Sequence, residues 1–166
     1  MRAITSMPGR RRLRCESGQS MVEFTFVSFL AFMLMFGIMD FGRLFFTQMT
    51  LQNAVRQAGR YAVTGNHLPD PNKPGKTLAR VASITQIAKS AAAGIDVTNI
   101  QISSVAGGSV GPGAAGGPRD TVTISLTTKF QFATPMIGRF FGSNGQYIFT
   151  VKATFLNEPF ASTQTK

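Results

Sequence analysis

The chain has 166 residues and a net charge of +10, yet only 14% of its residues are charged and 43% are hydrophobic. A soluble domain carries about 25% charged residues, so an ordinary soluble domain is disfavoured, and the apolar content argues against a disordered basic tail. One Cys excludes an intramolecular disulfide and a cysteine-based zinc site, and one His excludes a His-rich metal site. We therefore expect neither a metal nor a cofactor.

The first 18 residues form a basic segment with five Arg and a single acid, Glu16. The Arg run and Pro8-Gly9 predict a solvated leader that does not fold by itself. Basic runs also occur in nucleic-acid-binding segments. This run is short and an apolar segment follows at once, so we expect no nucleic-acid partner.

The next segment, residues 24–39, contains no charged side chain and is flanked by Glu23 and Asp40. Apolar residues continue to Phe46, which gives enough length to cross a hydrocarbon layer of about 30 Å. The alternative is a buried core helix, but a domain of this size could hardly bury a segment that is apolar on all faces. The preceding Arg residues predict a cytoplasmic N-terminus, with the rest of the chain on the far side of the membrane.

The helical pattern continues beyond the apolar run. Apolar and small residues recur at spacings of three and four as far as Ala62, and no Pro occurs between Gln19 and His67. We predict one helix from about Gln19 to Val63, with a transmembrane first half and an amphipathic stalk as its second half.

Residues 66–166 are predicted to form an α+β domain outside the cytoplasm. After a proline-rich loop, the pattern predicts a helix over Lys76–Ala93. Alternating apolar residues then predict three strands, at Val97–Val105, Thr121–Phe132 and Tyr147–Leu156. The expected fold is a small antiparallel sheet with one face covered by a helix.

Two segments between the predicted strands are less regular. Residues 106–119 are rich in Gly, Ala and Pro and are predicted to be a flexible loop; their literal GxGxxG leads into a strand, so we assign no dinucleotide site. Residues 135–142 form a compact apolar insert, which we interpret as core or membrane-proximal packing. A partner contact is the alternative.

The junction of leader and helix reads GQSMVEF, with Glu23 five residues after Gly18 and Phe24 next. A carboxylate near a membrane boundary is a functional candidate because it costs up to a few kcal/mol when unpaired. Equally, Glu23 is favoured near a helix N-terminus by the helix dipole. The residues alone leave both interpretations open.

The junction resembles a class III (type IV prepilin) signal, which a prepilin peptidase cuts after the Gly on the cytoplasmic side. The helix resembles the TadE-like pseudopilins of the tight-adherence (Flp) pilus system, in GQSMVEF, FGIMDFGRLFF and LQNAVRQAGRYAVTG, over residues 18–65. The resemblance implies cleavage between Gly18 and Gln19, so that Glu23 and Phe24 become residues five and six of the mature chain. It also implies that Glu23 pairs with the N-terminal amine of a neighbouring subunit. About 100 residues outside the membrane suggest a minor pilin rather than the main fibre subunit.

Asp40 and Arg43 are three residues apart and can pair on one face of the helix. The 20 residues from Glu23 to Arg43 span roughly 30 Å along the helix, which is one hydrocarbon thickness. We interpret Asp40 and Arg43 as anchors at the membrane boundary, and a subunit-assembly contact is the alternative.

No Ser/His/Asp constellation, paired-carboxylate site or phosphate loop is visible in the sequence, which favours a non-catalytic role. The resemblance implies a single-pass protein of the inner membrane, whose partners are the prepilin peptidase, other pilins or pseudopilins and the pilus assembly platform. Two alternatives stay open. One is an uncleaved membrane protein whose outer domain binds an envelope or secretion component, and the other is a membrane-anchored enzyme.

Overall fold

The computed structural model describes residues 16–106, 109–141 and 144–160; for residues 16, 17, 106 and 109–112 it describes the backbone alone. The solvated leader predicted for residues 1–15 lies outside these ranges. The chain divides into two compact units, one ending at Ile38 and the other beginning at Met39. We describe each unit by itself.

The first helix, α1, runs over Glu16–Val63. It begins about three residues before the predicted start, so Gly18 lies inside its first turn rather than ahead of it. Gly65 adopts a left-handed φ of 69° and donates its N–H to the carbonyl of Ala62 at 3.3 Å, which ends the helix as predicted.

The second helix, α2, spans Arg80–Ala91 and is shorter than the predicted Lys76–Ala93. The residues just before α2 form a backbone pairing instead of a helical turn. Pro69 and Thr77 form an isolated antiparallel bridge, and the N–H of Leu78 donates to the carbonyl of Leu68 at 2.8 Å. This backbone pairing holds residues 76–78 extended, so the helix begins only after them.

Four strands form one antiparallel sheet in the order β2-β1-β3-β4. The strands are β1 (Val97–Ala106), β2 (Ser109–Pro112), β3 (Thr121–Gln131) and β4 (Gln146–Leu156). The three predicted strands and the predicted α+β class are confirmed.

Strand β2 corrects the prediction that residues 106–119 are a loop throughout. It pairs with the end of β1, from Ser103 opposite Pro112 to Ala106 opposite Ser109. This pairing uses backbone groups at the edge of β1 and needs no apolar alternation, so the composition of the segment did not reveal it. The chain then enters β3, a strand, as expected for a Gly-rich segment without a nucleotide-binding role.

The predicted apolar insert forms a third helix, α3, over Pro135–Phe141. Proline suits the first position of a helix because its missing N–H would be unpaired there in any case. Ile137 and Gly138 are buried, whereas Phe140 is 80% exposed. The interpretation of the insert as core packing therefore holds for one side of α3 only.

The core of this unit lies between one face of the sheet and the two longer helices. From α1 it takes Leu51, Ala54, Val55, Ala58 and Ala62; α2 adds Ile84 and Ala88, and β3 adds Val122, Ile124 and Leu126, all fully buried. The amphipathic pattern predicted for the second half of α1 is thus matched by burial within its own chain. The apolar positions of β4 face the same cluster and are partly buried.

A buried cation, Arg80, fastens α2 to the end of α1 and to the loop after β2. Its guanidinium donates to the carbonyls of Ala62 at 2.6 Å and Gly116 at 2.5 Å, and it lies 4.6 Å from the centre of the Phe160 ring. Burial lowers the pKa of Arg80, while the carboxylate of Asp120 raises it. An arginine begins from so high a pKa that the side chain stays charged in neutral solution.

Asn157 fastens the chain that leaves β4 to the same loop. Its side-chain amide donates to the carbonyls of Ala115 at 3.0 Å and Gly117 at 2.8 Å, and its backbone N–H donates to the carbonyl of Asp120. The next residue, Glu158, donates its N–H to the carbonyl of Val63 at 3.0 Å. The end of α1, the loop and the C-terminal segment are therefore joined by hydrogen bonds.

Candidate processing and assembly site

The predicted processing residues lie together in the first two turns of α1. Gln19 and Glu23 are one turn apart, and the side-chain amide of Gln19 donates to the Glu23 carboxylate at 3.1 Å. Both side chains are exposed. At Gly18 the space around the Cα is open, because an added Cβ would meet no atom within 4 Å. The junction is therefore accessible to another protein.

The apolar surface that follows is exposed along several turns of α1. Phe24 is 73% exposed, Phe26 68% and Leu34 63%. Exposing such a surface to water is unfavourable by about 25 cal/mol per Å². The helix is long and apolar enough to cross a membrane, and lipid or neighbouring apolar helices would remove this cost.

Asp40 follows the uncharged run and is only 1% exposed. Its carboxylate accepts the backbone N–H groups of Ala133 at 3.0 Å and Thr134 at 2.8 Å, just before α3 begins. Arg43 lies one turn further along α1, with its guanidinium 3.6 Å from the same carboxylate. The predicted pairing of Asp40 with Arg43 is present, but the shorter contacts of Asp40 are to the backbone of the outer domain.

Aromatic rings surround this link. Phe41, Phe132 and Phe141 contact one another with ring centres 5.0 to 6.3 Å apart. The guanidinium of Arg43 lies 5.6 Å from the centre of the Phe130 ring, while its side chain remains 58% exposed. Asp40 itself is only 1% exposed, and the exclusion of water strengthens its hydrogen bonds.

The structure thus separates the six predicted site residues into two groups. Gly18, Gln19, Glu23 and Phe24 form an exposed group in the unit that ends at Ile38. Asp40 and Arg43 belong to the second unit, where Asp40 holds the backbone around residue 133 and Arg43 pairs with Asp40. Sequence reasoning missed that link because 93 residues separate Asp40 from Ala133. The sequence did offer one signal for this link. Asp40 is an acid beside an apolar run, and an acid in that position requires a partner.

Within the described residues, no group of three or more His, Cys, Asp or Glu side chains is placed to hold a metal ion. His67 lies in the loop after α1, with its Nδ1 2.8 Å from the carbonyl oxygen of Leu78. The two groups above are the candidate sites.

Comparison with known proteins gives one match. The family model described as TadE-like protein matches residues 18–60, which begin at Gly18 and follow α1 through Asp40 and Arg43. Among curated proteins and among solved structures, nothing matches the chain. Over residues 18–60 the predicted resemblance is confirmed: the N-terminal helix is similar to the TadE-like family, which is associated with the Tad pilus.

Proposed function

We propose that this chain is a pseudopilin or minor pilin, inserted in the inner membrane and used to assemble a tight-adherence pilus. One observation carries the proposal. The TadE-like match begins at Gly18, and an exposed apolar helix follows it directly. The second unit, with its own buried core, supplies a domain far larger than a main fibre subunit needs. Its role is therefore that of a minor or accessory component.

In this proposal a prepilin peptidase cuts between Gly18 and Gln19 on the cytoplasmic face. Glycine is a poor helix former, and helix ends fray readily. Gly18 lies in the first turn of α1 with no side chain packed around it, so the turn can open to reach a peptidase. The basic leader stays in the cytoplasm, and the domain beyond Asp40 lies on the periplasmic side.

Glu23 is the proposed registration residue between subunits. Cleavage creates an α-amine at Gln19, and such an amine has a pKa of about 7.7–8.0 and is largely cationic at neutral pH. The Glu23 carboxylate is exposed and accepts a single side-chain hydrogen bond, from Gln19. In a low-dielectric bundle of helices, a carboxylate and an amine attract far more strongly than in water. The exposed carboxylate is thus available to the amine of a neighbouring chain.

The first test is the mass of the mature chain. The full-length protein is produced with and without the prepilin peptidase and analysed by intact mass and N-terminal sequencing. We expect a chain beginning at Gln19 when the peptidase is present, and none from a Gly18→Leu variant. Gly42→Ala is the matched control, since Gly42 lies in the same helix with open space around it, and it should be processed normally. A retained leader would instead favour the uncleaved single-pass protein.

The second test addresses Glu23. A Glu23→Ala variant should still be cleaved but should not support pili, counted by electron microscopy. Glu158→Ala removes an exposed acid from the outer domain and is the control. Normal piliation in the Glu23 variant would remove the proposed role of that residue while leaving cleavage unaffected.

A non-catalytic role follows from this proposal. An enzyme would instead show turnover that single changes in the outer domain abolish.

A further inference from the structure

The exposed side of α3 is unusually apolar for a short helix outside a core. Phe140 is 80% exposed, Met136 44% and Phe141 42%, while Ile137 on the other side is buried. Three of the seven residues of α3 are thus apolar and exposed, and a cluster of this kind is typical of a surface that contacts a partner or a membrane.

The position of α3 indicates what its exposed apolar side contacts. Ala133 and Thr134, which lead directly into α3, donate their N–H groups to Asp40. Asp40 is the residue that ends the uncharged run of α1. The start of α3 therefore lies beside the point where the apolar part of α1 ends.

The length of the uncharged run places this point at a membrane surface. Residues 24–39 comprise 16 residues, which span roughly 24 Å, or about 6 Å less than a typical hydrocarbon layer. The surroundings of Asp40 then lie close to the edge of the hydrocarbon layer. Asp40 is buried, and both of its carboxylate oxygens accept hydrogen bonds from backbone N–H groups. These bonds offset the free-energy cost of placing a carboxylate near hydrocarbon.

The exposed charges on and near α3 are complementary to the phosphates of lipid headgroups. Arg139 is exposed in the last turn of α3, and the side chain of Arg43 is 58% exposed. Asp40 is buried and already bonded, so the two exposed charged side chains, Arg43 and Arg139, are both cationic. Arg side chains hold their charge at the headgroups while apolar neighbours sit deeper.

We propose that α3 rests on the periplasmic leaflet of the membrane that α1 crosses, with Phe140 and Met136 inserted among the lipids and Arg139 at the phosphates. This contact gives the outer domain a second attachment to the bilayer besides α1. The inference rests on the membrane-spanning helix of the proposed function, and not on cleavage or pilus assembly.

The test uses the absence of Trp from the natural chain. Full-length Phe140→Trp protein is reconstituted in vesicles of phosphatidylcholine and phosphatidylglycerol, with or without bromine on the acyl chains. We expect a blue-shifted emission that brominated lipid quenches at least twofold. Leu156→Trp is the matched control, because Leu156 is 66% exposed at the far end of β4, and it should keep a water-like emission without quenching.

A Phe29→Trp variant, inside the apolar run and 52% exposed, separates the two hypotheses. If brominated lipid does not quench this Trp, the membrane span itself is wrong. If it quenches the Trp at 29 but leaves the Trp at 140 water-like, the contact of α3 with lipid is overturned. The same holds if the Trp at 140 becomes shielded only when another pilus protein is added, since a protein is then the partner.

Adding Arg139→Glu to Phe140→Trp should weaken the quenching in anionic vesicles.

Discussion

Single side chains hold distant parts of the second unit together, and two of them are charged and almost fully buried. Asp40 accepts two backbone N–H groups from the start of α3, and Arg80 donates to two carbonyls at the end of α1 and in the loop after β2. Hydrogen bonds to these backbone groups offset part of the cost of burying each charge. Removing either side chain takes a charged partner away from two backbone groups.

For Asp40 we expect faster amide exchange at the residues that it holds. Hydrogen bonds to charged groups contribute about 1.5–3 kcal/mol each, so Asp40→Ala should speed hydrogen exchange at Ala133 and Thr134 by about tenfold to a hundredfold. Asp40→Asn keeps one acceptor and should give a smaller increase. The readout is hydrogen–deuterium exchange mass spectrometry of the full chain in detergent. Unchanged exchange in the Ala variant would show that these bonds do not hold the start of α3.

For Arg80 we expect a loss of stability. Arg80→Ala leaves the carbonyls of Ala62 and Gly116 without this donor, and should lower the free energy of unfolding by about 2–4 kcal/mol. Arg56→Ala, at an exposed position on α1, should change it by less than about 0.5 kcal/mol. Urea unfolding can be followed by the fluorescence of the two Tyr residues, Tyr61 and Tyr147, which both lie in this unit. Equal effects of the two substitutions would contradict the structural role of Arg80.

At the scale of elements, close packing between α1 and β4 depends on one glycine. The ring of Phe155 lies directly on the backbone of Gly59, where an added Cβ would be 2.1 to 2.5 Å from ring atoms. The absence of a side chain therefore allows the helix and the sheet to approach. Phe155 is one of the partly buried residues that cover the main core.

We expect Gly59→Ala to destabilise the second unit by about 1–3 kcal/mol, because the displaced ring outweighs the gain in helix propensity. Gly42→Ala, in the same helix but in open space, should instead be neutral or stabilise by up to about 1 kcal/mol. Urea unfolding measures both. In combination with Phe155→Ala, the Gly59 substitution should lose most of its cost. If it stays equally costly there, ring packing is not the cause.

At the scale of the whole molecule, the net positive charge is distributed unevenly on the two sides of Gly18. The leader carries five Arg and one Glu, and residues 19–166 carry twelve basic and six acidic side chains, a net charge of +6. The densest positive charge thus lies beside the apolar helix, where we propose that it sets the orientation of the chain in the membrane. The remaining excess is spread over the outer domain.

The single Cys offers a test of this arrangement. Cys15 is the only Cys and lies before the proposed cleavage point. We expect the precursor to react with a maleimide only after the membrane is permeabilised, and the mature chain not to react at all. A Thr98→Cys, Cys15→Ser chain places a thiol at an exposed position on β1, and should react in intact spheroplasts. Labelling of Cys15 from outside would reverse the proposed orientation.

The local patterns of the sequence were sufficient for most of the fold. An uncharged run identified the first half of α1, and alternating residues identified β1, β3 and β4 to within about one residue. These patterns are readable because burial of one face imposes the period of the helix or strand on neighbouring residues. The junction GQSMVEF is also a local pattern, of seven residues, and the processing and assembly roles assigned to it stay predictions.

Only the tertiary structure decided where the unpatterned features lie. The start of α2, the pairing of β2 and the links made by Asp40 and Arg80 all use backbone donors or acceptors. Every residue except proline offers these same backbone groups, so no particular residue type signals the partner. The sequence by itself therefore determined the elements and the candidate junction, whereas the folded chain determined which distant backbone groups meet its buried charges.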